Sequence, residues 1–445
     1  MLRRGRRTHN GGVFVSFPSF SPQQASTVHA MRICLIRPPA PELLNDRIDP
    51  PLGLLFLGTA LKQQGHELTI LDFAGGESPS IPEADLYGLT LYTTSYPDAL
   101  KIRDEIRAFS DAPIMVGGPH PQALPKETAE DYDYVVVGEA EKDIPPLVER
   151  MAERSLPTRI IYAQVPPDLG ALAYNDYSLV DVSSYNRVVA GQVAFSILSG
   201  RGCPFRCTYC YTAALAEKVR LRPVAHLMGE LRELEEKYQV NSLRFVDDNF
   251  LMSRKFFTEL APHLRDFGKP YRVYCRAVDL TPDRCELLAW SGCKMVACGI
   301  ESGSQKMQDL MNTRKNVQKM TEGVIAARNA GLEVRAGLIV GYPGETWETV
   351  KESVANLKQM PFQNYNLFNF VPLPGTEPFH NPQKYKIRWI SNSWKDFFIL
   401  CGDNEASYAF ESETLDRQTL ADMRSYMIEE LNTVFAPARD DTAYK

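Results

Sequence analysis

Ser199-Gly200-Arg201-Gly202-Cys203-Pro204-Phe205-Arg206-Cys207-Thr208-Tyr209-Cys210 carries the densest chemical information in this 445-residue chain. Three thiolates at Cys-x3-Cys-x2-Cys spacing can hold three irons of a 4Fe-4S cubane and leave the fourth iron without a protein ligand. A small molecule with an amine and a carboxylate can chelate that open iron, and an electron from the cluster can then break a sulfonium bond within it. Three other uses of the thiols compete. A structural zinc site needs a fourth ligand, and the next histidine, His226, lies sixteen residues beyond Cys210 in a predicted helix. A ferredoxin-type cluster needs a fourth cysteine close by, and a disulfide fits poorly with an odd total of nine cysteines and no secretory signal, a pattern that points to reduced thiols in a cytoplasm.

The cysteine stretch follows an apolar run at 194–198, and further strands are expected at 242–246, 272–275, 295–299, 333–340 and 365–371. Amphipathic helices, among them 224–238 and 317–330, separate them. Six such units predict a partial barrel open on one side, with the cysteines at the carboxyl end of its first strand. Ahead of it, strands at 32–37, 67–72, 85–91, 113–116 and 134–137 alternate with helical stretches, the pattern of a doubly wound parallel sheet. Such sheets bind ligands outside the carboxyl ends of their strands. Those ends carry Thr93, Ser95, Gly117, Gly118 and Glu139, which either serve a ligand or form ordinary turns. Only about a dozen residues separate the strand ending at Asp72 from the next, near the lower limit for a crossover, so the usual helix is expected to be missing.

The expected organisation is therefore α/β: a disordered leader at 1–30, a first domain at 31–145, a connector at 146–190, the barrel at 191–378 and an extension at 379–445 with one helix near 415–434. Translation starting at Met31 would remove the leader. With 44% hydrophobic and 23% charged residues and a net charge of −6, the composition is that of a soluble globular protein. No basic stripe interleaved with aromatics suggests nucleic acid, and no apolar run is long enough to span a bilayer. No internal repeat is present.

Beyond the cysteines, FVDDNF (245–250), RAVD (276–279), GIESGS (299–304), MNTRK (311–315), GLIVGYPGET (337–346) and PLPGT (372–376) follow in order, and with them the stretch resembles the radical S-adenosylmethionine (SAM) superfamily. The resemblance implies that Cys203, Cys207 and Cys210 ligate the cluster and that Tyr209 lies beside the adenine of SAM. It further implies that Arg276, Glu301 and Ser302 meet the polar ends of SAM and that backbone from Leu338 to Gly341 lines the adenine. Asp247 and Asp248 either face substrate or cap the next helix. Cys275 and Cys298 read as core, and Cys401 as a conceivable hydrogen-atom donor. Tyr365, Phe368 and Phe370 line either a substrate pocket or the core.

The segments IRPPAPELL (36–44), 49–72, LTLYTTSY (89–96), VGGPHPQALP (116–125) and VVVGEAE (135–141) make the first domain similar to that of the cobalamin-binding radical SAM class, which includes methylases and an anaerobic ring-cyclase group. No Asp-x-His-x-x-Gly pattern marks a lower cobalt ligand. By resemblance the chain is expected to be a cobalamin-dependent methyltransferase on a small or medium metabolite, drawing electrons from a flavodoxin or ferredoxin. A radical oxidation, cyclisation, decarboxylation or rearrangement without cobalamin is the alternative, and a non-catalytic metal-binding module the remote one.

Overall fold

A computed structural model describes residues 29–40, 46–76, 78–212, 218–398 and 407–437; Cys401 and most of the expected leader lie outside them. Six strands form the first sheet: β1 (Arg32–Arg37), β2 (Glu67–Asp72), β3 (Leu86–Thr90), β4 (Ile114–Gly117), β5 (Tyr134–Val137) and β6 (Ile160–Tyr162). Their order is β2-β1-β3-β4-β5-β6, every pair parallel. Alternate residues of β1 feed opposite faces: Ile33 and Leu35 pack in one core with Leu86, Met115 and Val136, while Cys34 and Ile36 pack in another with Tyr87, Leu89 and Val116. A strand buried on both sides reads as a continuous apolar run, which is why this sheet is visible in the sequence.

Between β2 and β3 the described residues hold only the 3-10 turn Ala74–Gly76. Phe73, Ile81 and Ala84 from this irregular crossing fill the core that a helix would otherwise cover. The segment expected as a connector contributes β6, which extends the sheet beyond β5. With three residues, β6 is too short to show alternation.

The second sheet contains β7 (Val188–Val189), β8 (Gln192–Ile197), β11 (Ser242–Phe245), β12 (Tyr271–Arg276), β13 (Cys293–Glu301), β14 (Glu333–Val340), β15 (Asn364–Asn369) and β18 (Ala436–Pro437). Two small ribbons pair β9 (Gly200–Arg201) with β10 (Arg220–Leu221), and β16 (Ile387–Ile390) with β17 (Phe410–Ser412). The order β18-β15-β14-β13-β12-β11-β8-β7 contains seven consecutive parallel strands, from the short β18 to β8, with β7 antiparallel at the edge, and does not close on itself. This is the expected open barrel. Leu243, Phe245, Val273, Cys275, Val296, Cys298, Val334, Ala336 and Leu338 point outward into one large core with helices Val224–Tyr238, Arg254–Phe267 and Val317–Asn329. The intervening residues of each strand therefore face the lumen. Cys275 and Cys298 are core residues, as expected, their sulfurs 3.6 Å apart.

The extension packs helix Arg417–Asn432 onto the barrel through Leu420, Met423 and Met427. Trp394 reaches across to the first domain, where its ring meets His120 edge-on at 5.0 Å. No helix among the described residues is long and apolar enough to cross a membrane.

Candidate functional site

The cysteine loop leaves the carboxyl end of β8 and is pinched at its base by the β9–β10 ribbon. That pinch needs glycine. Gly202 has φ +88°, and a Cβ there would stand 2.5 Å from the Lys218 carbonyl oxygen. Asp247 accepts hydrogen bonds from the Ser199 amide (3.1 Å) and hydroxyl (2.6 Å), and burial pushes its carboxyl up to about 6. Asp248 accepts from the Gly202 amide (3.2 Å) and the Thr212 hydroxyl (3.0 Å). Both aspartates thus brace the loop; the residue that caps the following turn is Asn249, which accepts from the Leu251 amide. On the far side the Thr208 amide donates to Met311 O (3.0 Å), and the Asn312 side chain donates to Arg206 O (2.7 Å).

Cys203, Cys207 and Cys210 are partly exposed and form no disulfide. Among the described residues no three His, Cys, Asp or Glu side chains converge as a single metal ion would require, so a ready-made zinc site is absent from them. Three thiols on one loop, none of them in a disulfide, fit a cubane, whose irons are spread over a wider frame. Burial pushes the Cys203 and Cys207 thiols up, while Arg276 pulls both down, joined by Arg206 at Cys203 and Lys315 at Cys207.

Arg276, at the end of β12, lays its guanidinium 3.4 Å above the Phe205 ring of the loop and donates to Thr313 O at 2.7 Å. Its Nε is buried without a partner, the condition of a group awaiting a polar ligand. Glu301 adopts φ +63°, and its carboxylate accepts from Lys315 Nζ at 2.6 Å. Lys315 Nζ also donates to Gly299 O at 2.7 Å. Burial, with a hydrogen bond to Glu301 among further causes, holds the Tyr209 phenol well above its usual range. The MNTRK segment is thus a clamp whose Met311, Asn312, Thr313 and Lys315 each hold a piece of the site. Lys315→Met leaves the Glu301 carboxylate buried beside an apolar chain. The expected cost is about 3–5 kcal/mol of stability, measured by chemical denaturation; a loss under about 1 kcal/mol would show that Glu301 needs no cation.

Of the residues expected at SAM, the Ser302 side chain and the Gly341 amide are tied into the frame, while Leu338 keeps the backbone role expected of it. The Ser302 hydroxyl donates to Ser353 and accepts from the Ser304 amide, so the structure directs it into the protein. The Leu338 side chain belongs to the outer core, leaving only its backbone to the lumen side. Gly341 donates its amide to Glu345 (2.5 Å), and a Cβ on it would sit 2.4 Å from Leu420 Cδ1. Burial pushes the Glu345 carboxyl up to about 7. Of the aromatics on the last strand, Tyr365 and Phe370 are buried and Phe368 is half-buried toward the lumen.

In the first domain a slot of about 310 Å³ opens at the carboxyl ends of the strands, between the sheet and helix Leu52–Gln63. Leu35, Gly88, Met115 and Val136 form its floor and Gly117, Gly118 and Glu139 its mouth. The volume is at the small end of ligand pockets, and an apolar floor under a polar rim suits a flat ligand tail. Thr93 and Ser95 do not line it. Thr93 Oγ1 lies 3.3 Å from His120 Nδ1, and Ser95 closes the turn before helix Tyr96–Arg107 by bonding the Tyr92 backbone. Thr90 occupies the place expected for them. Arg201 reaches from the base of the cysteine loop into this wall, pairing with Glu139 (2.6 Å) and Glu141 (2.8 Å) and stacking on Phe56. Arg220 binds the same Glu139.

The Radical SAM superfamily profile matches residues 197–357, and the B12 binding domain profile matches residues 48–148. An uncharacterized methyltransferase of Pyrococcus horikoshii is 24% identical over 78% of this chain and 82% of its own length. The bacteriochlorophyllide d C-8(2)-methyltransferase of Chlorobaculum tepidum is 26% identical over 80% and 81%. Among solved structures, the radical SAM methyltransferase TsrM from Kitasatospora setae, with tryptophan and a SAM analogue, superposes with a TM-score of 0.67 at 18% identity over 91% of this chain and 89% of that one. Slot-bearing parallel sheet, cysteine loop and open barrel occur here together and in this order: the chain belongs to the radical SAM superfamily, in the class with a B12-binding domain ahead of the barrel.

Proposed function

We propose that this enzyme is a cobalamin-dependent radical SAM methyltransferase acting on a small or medium-sized metabolite. The observation that carries the reading is the shared wall. Arg201 stands two residues before Cys203 and also lines the slot, so the cysteine loop and the slot are held against each other by one side chain. Cys203, Cys207 and Cys210 would hold the 4Fe-4S cluster. The Nε of Arg276, buried without a partner, would meet the SAM carboxylate, and Glu301, fixed by Lys315, would accept from an ammonium or ribose hydroxyl. Tyr209 and the backbone from Leu338 to Gly341 would flank the adenine. Gly117, Gly118 and Glu139 would border cobalamin, with Gly88 and Met115 beneath its tail. Bound there, the cluster would supply the electron for reductive cleavage of SAM, and cobalamin would supply the methyl carrier. The protein's own share is placement and the exclusion of water and oxygen. A cytoplasmic setting and a flavodoxin or ferredoxin as electron donor complete the proposal.

The test is anaerobic purification, cluster reconstitution, addition of hydroxocobalamin and desalting, followed by absorption spectra and mass spectrometry of SAM products. Retained corrin with cysteine-dependent SAM cleavage is expected. Cleavage without retained corrin would move the assignment to a radical oxidation, cyclisation, decarboxylation or rearrangement, and absence of a cluster would overturn it.

A further inference from the structure

Four arginines line the barrel lumen. Arg244 on β11, Arg272 and Arg276 on β12 and Arg335 on β14 all occupy inward positions, alternating with the outward core residues. Arginine is rarely buried unless an anion or strong acceptor meets it. Arg244 donates to the Tyr274 hydroxyl at 2.6 Å and Arg272 donates to the same oxygen at 2.9 Å. Both guanidiniums also lie about 5 Å from the Tyr274 ring centroid, at 5.2 and 5.1 Å. A phenol oxygen that accepts from two guanidiniums occupies the position an oxyanion would take. Arg244 is tied on its other side to Asp49 (2.6 Å) from the first domain, and Arg187 joins the same carboxylate at 2.7 Å. Arg335 donates to Asn364, which donates in turn to Glu333.

Two further features mark this interior as a receptacle. Three buried polar atoms around it have no partner: Arg244 Nε, Arg276 Nε and Asn366 Oδ1, on three different strands. Buried polar groups are nearly always hydrogen-bonded, so orphans on facing strands call for a polar guest. Beside them Gly299 and Gly337 stand in register on adjacent strands. A Cβ on Gly337 would meet nothing closer than 3.5 Å, so the glycine leaves space that the backbone does not itself require.

On the reading that substrate enters this lumen from the SAM end, we infer that the substrate carries an oxyanion group, carboxylate or phosphate, and that Arg244, Arg272 and Tyr274 form its seat. Tyr274 is two residues deeper on β12 than Arg276, so the acid group sits about 6.6 Å below the level of the SAM-facing arginine. The seat would thereby orient the substrate end-on, its anionic end down and its reacting carbon toward the cluster loop.

The same guanidiniums lower the Tyr274 phenol to about 8 against the pull of burial, with Arg244 first, Arg272 next and Arg187 contributing. That gives a direct readout. The full chain, labelled with 13Cζ-tyrosine and carrying its reconstituted cluster, is titrated by NMR at constant chloride-balanced ionic strength. Inorganic phosphate and propionate are the probes and neutral propionamide the control; Tyr274→Phe assigns the resonance. A bound anion compensates the arginines, so the Tyr274 midpoint is expected to rise by about half a pH unit or more and to saturate. Arg272→Gln is expected to raise it without any probe and to remove the response. A response to phosphate alone points to a phosphorylated substrate and one to propionate alone to a carboxylic acid. No shift with either, or an equal shift with propionamide, overturns the inference. Corrin retention and SAM cleavage measured on the same preparation report on the methyltransferase reading separately.

Discussion

Cys207→Ala is expected to yield a folded protein that lacks the cluster's broad visible absorbance and cleaves SAM at background level. Cys207 sits mid-loop between the two supports of that loop, with the Thr208 amide fixed to Met311 and the Cys210 amide donating to the Cys207 carbonyl at 3.1 Å. Removing one of only three ligands leaves two of the four irons without a protein ligand, and losing even an outer support of a metal site costs about 10–100-fold. The expected fall in cleavage therefore exceeds about a hundredfold. Stability answers differently. The loop lies outside the large core, so the cluster-free variant and the cluster-free parent are expected to unfold within about 0.5 kcal/mol of each other. A Cys207→Ala protein that keeps its cluster and its cleavage would show that the ligands are placed wrongly.

Gly88→Leu is expected to abolish corrin retention and leave the cluster in place. Gly88 is central in β3 and faces the slot, where its absent side chain is the space between Leu35 and Met115. A Cβ alone would come to 2.7 Å from Leu35 Cδ2 and 2.9 Å from Met115 Cε; both are flexible ends that can yield, into the slot. Leucine adds three more carbons along that line. Overpacking of this kind costs about 1–3 kcal/mol, which a domain with two continuous cores survives. The measurements are corrin absorbance after desalting, expected to drop at least about tenfold, equivalent to about 1.4 kcal/mol of binding, and iron content, expected to stay constant. Undiminished corrin in the variant would mean that the slot is not where the cofactor's tail goes. Loss of corrin and iron together would mean that the substitution damages the whole fold.

The two sheets and the cysteine loop were legible because each has a local signature. Strands such as 333–340 and helices such as 224–238 have their apolar period written in consecutive residues, and the structure places them at Glu333–Val340 and Val224–Tyr238. The short spacing after Asp72 likewise agrees with the single 3-10 turn that the described residues hold there. What the sequence left out has a common form. Ser95, Ser302 and Gly341 carry suitable chemistry at the strand ends, and each is also held by a partner in the frame that no local pattern names: the Tyr92 backbone, Ser353, and Glu345 with Leu420. Asp247 and Asp248 read locally as substrate contacts or as caps of the following helix, whereas their hydrogen-bond partners lie on the cysteine loop, 48 and 46 residues earlier. Lys315 was visible as a motif residue, but nothing in its neighbourhood names Glu301 as its counter-ion.

The sequence by itself determined the class of chemistry, since Cys-x3-Cys-x2-Cys at the end of a barrel strand is a statement about covalent ligands a few residues apart. It determined the strand order of events along the chain as well, because burial on one face or two imposes a period that composition must obey. Only the tertiary structure decided which charges meet. Arg201 finds Glu139 across 62 residues, and Arg244 finds Asp49 across 195. Pairing of that kind depends on where two sheets come to rest against each other, a consequence of the whole packing that no local period encodes.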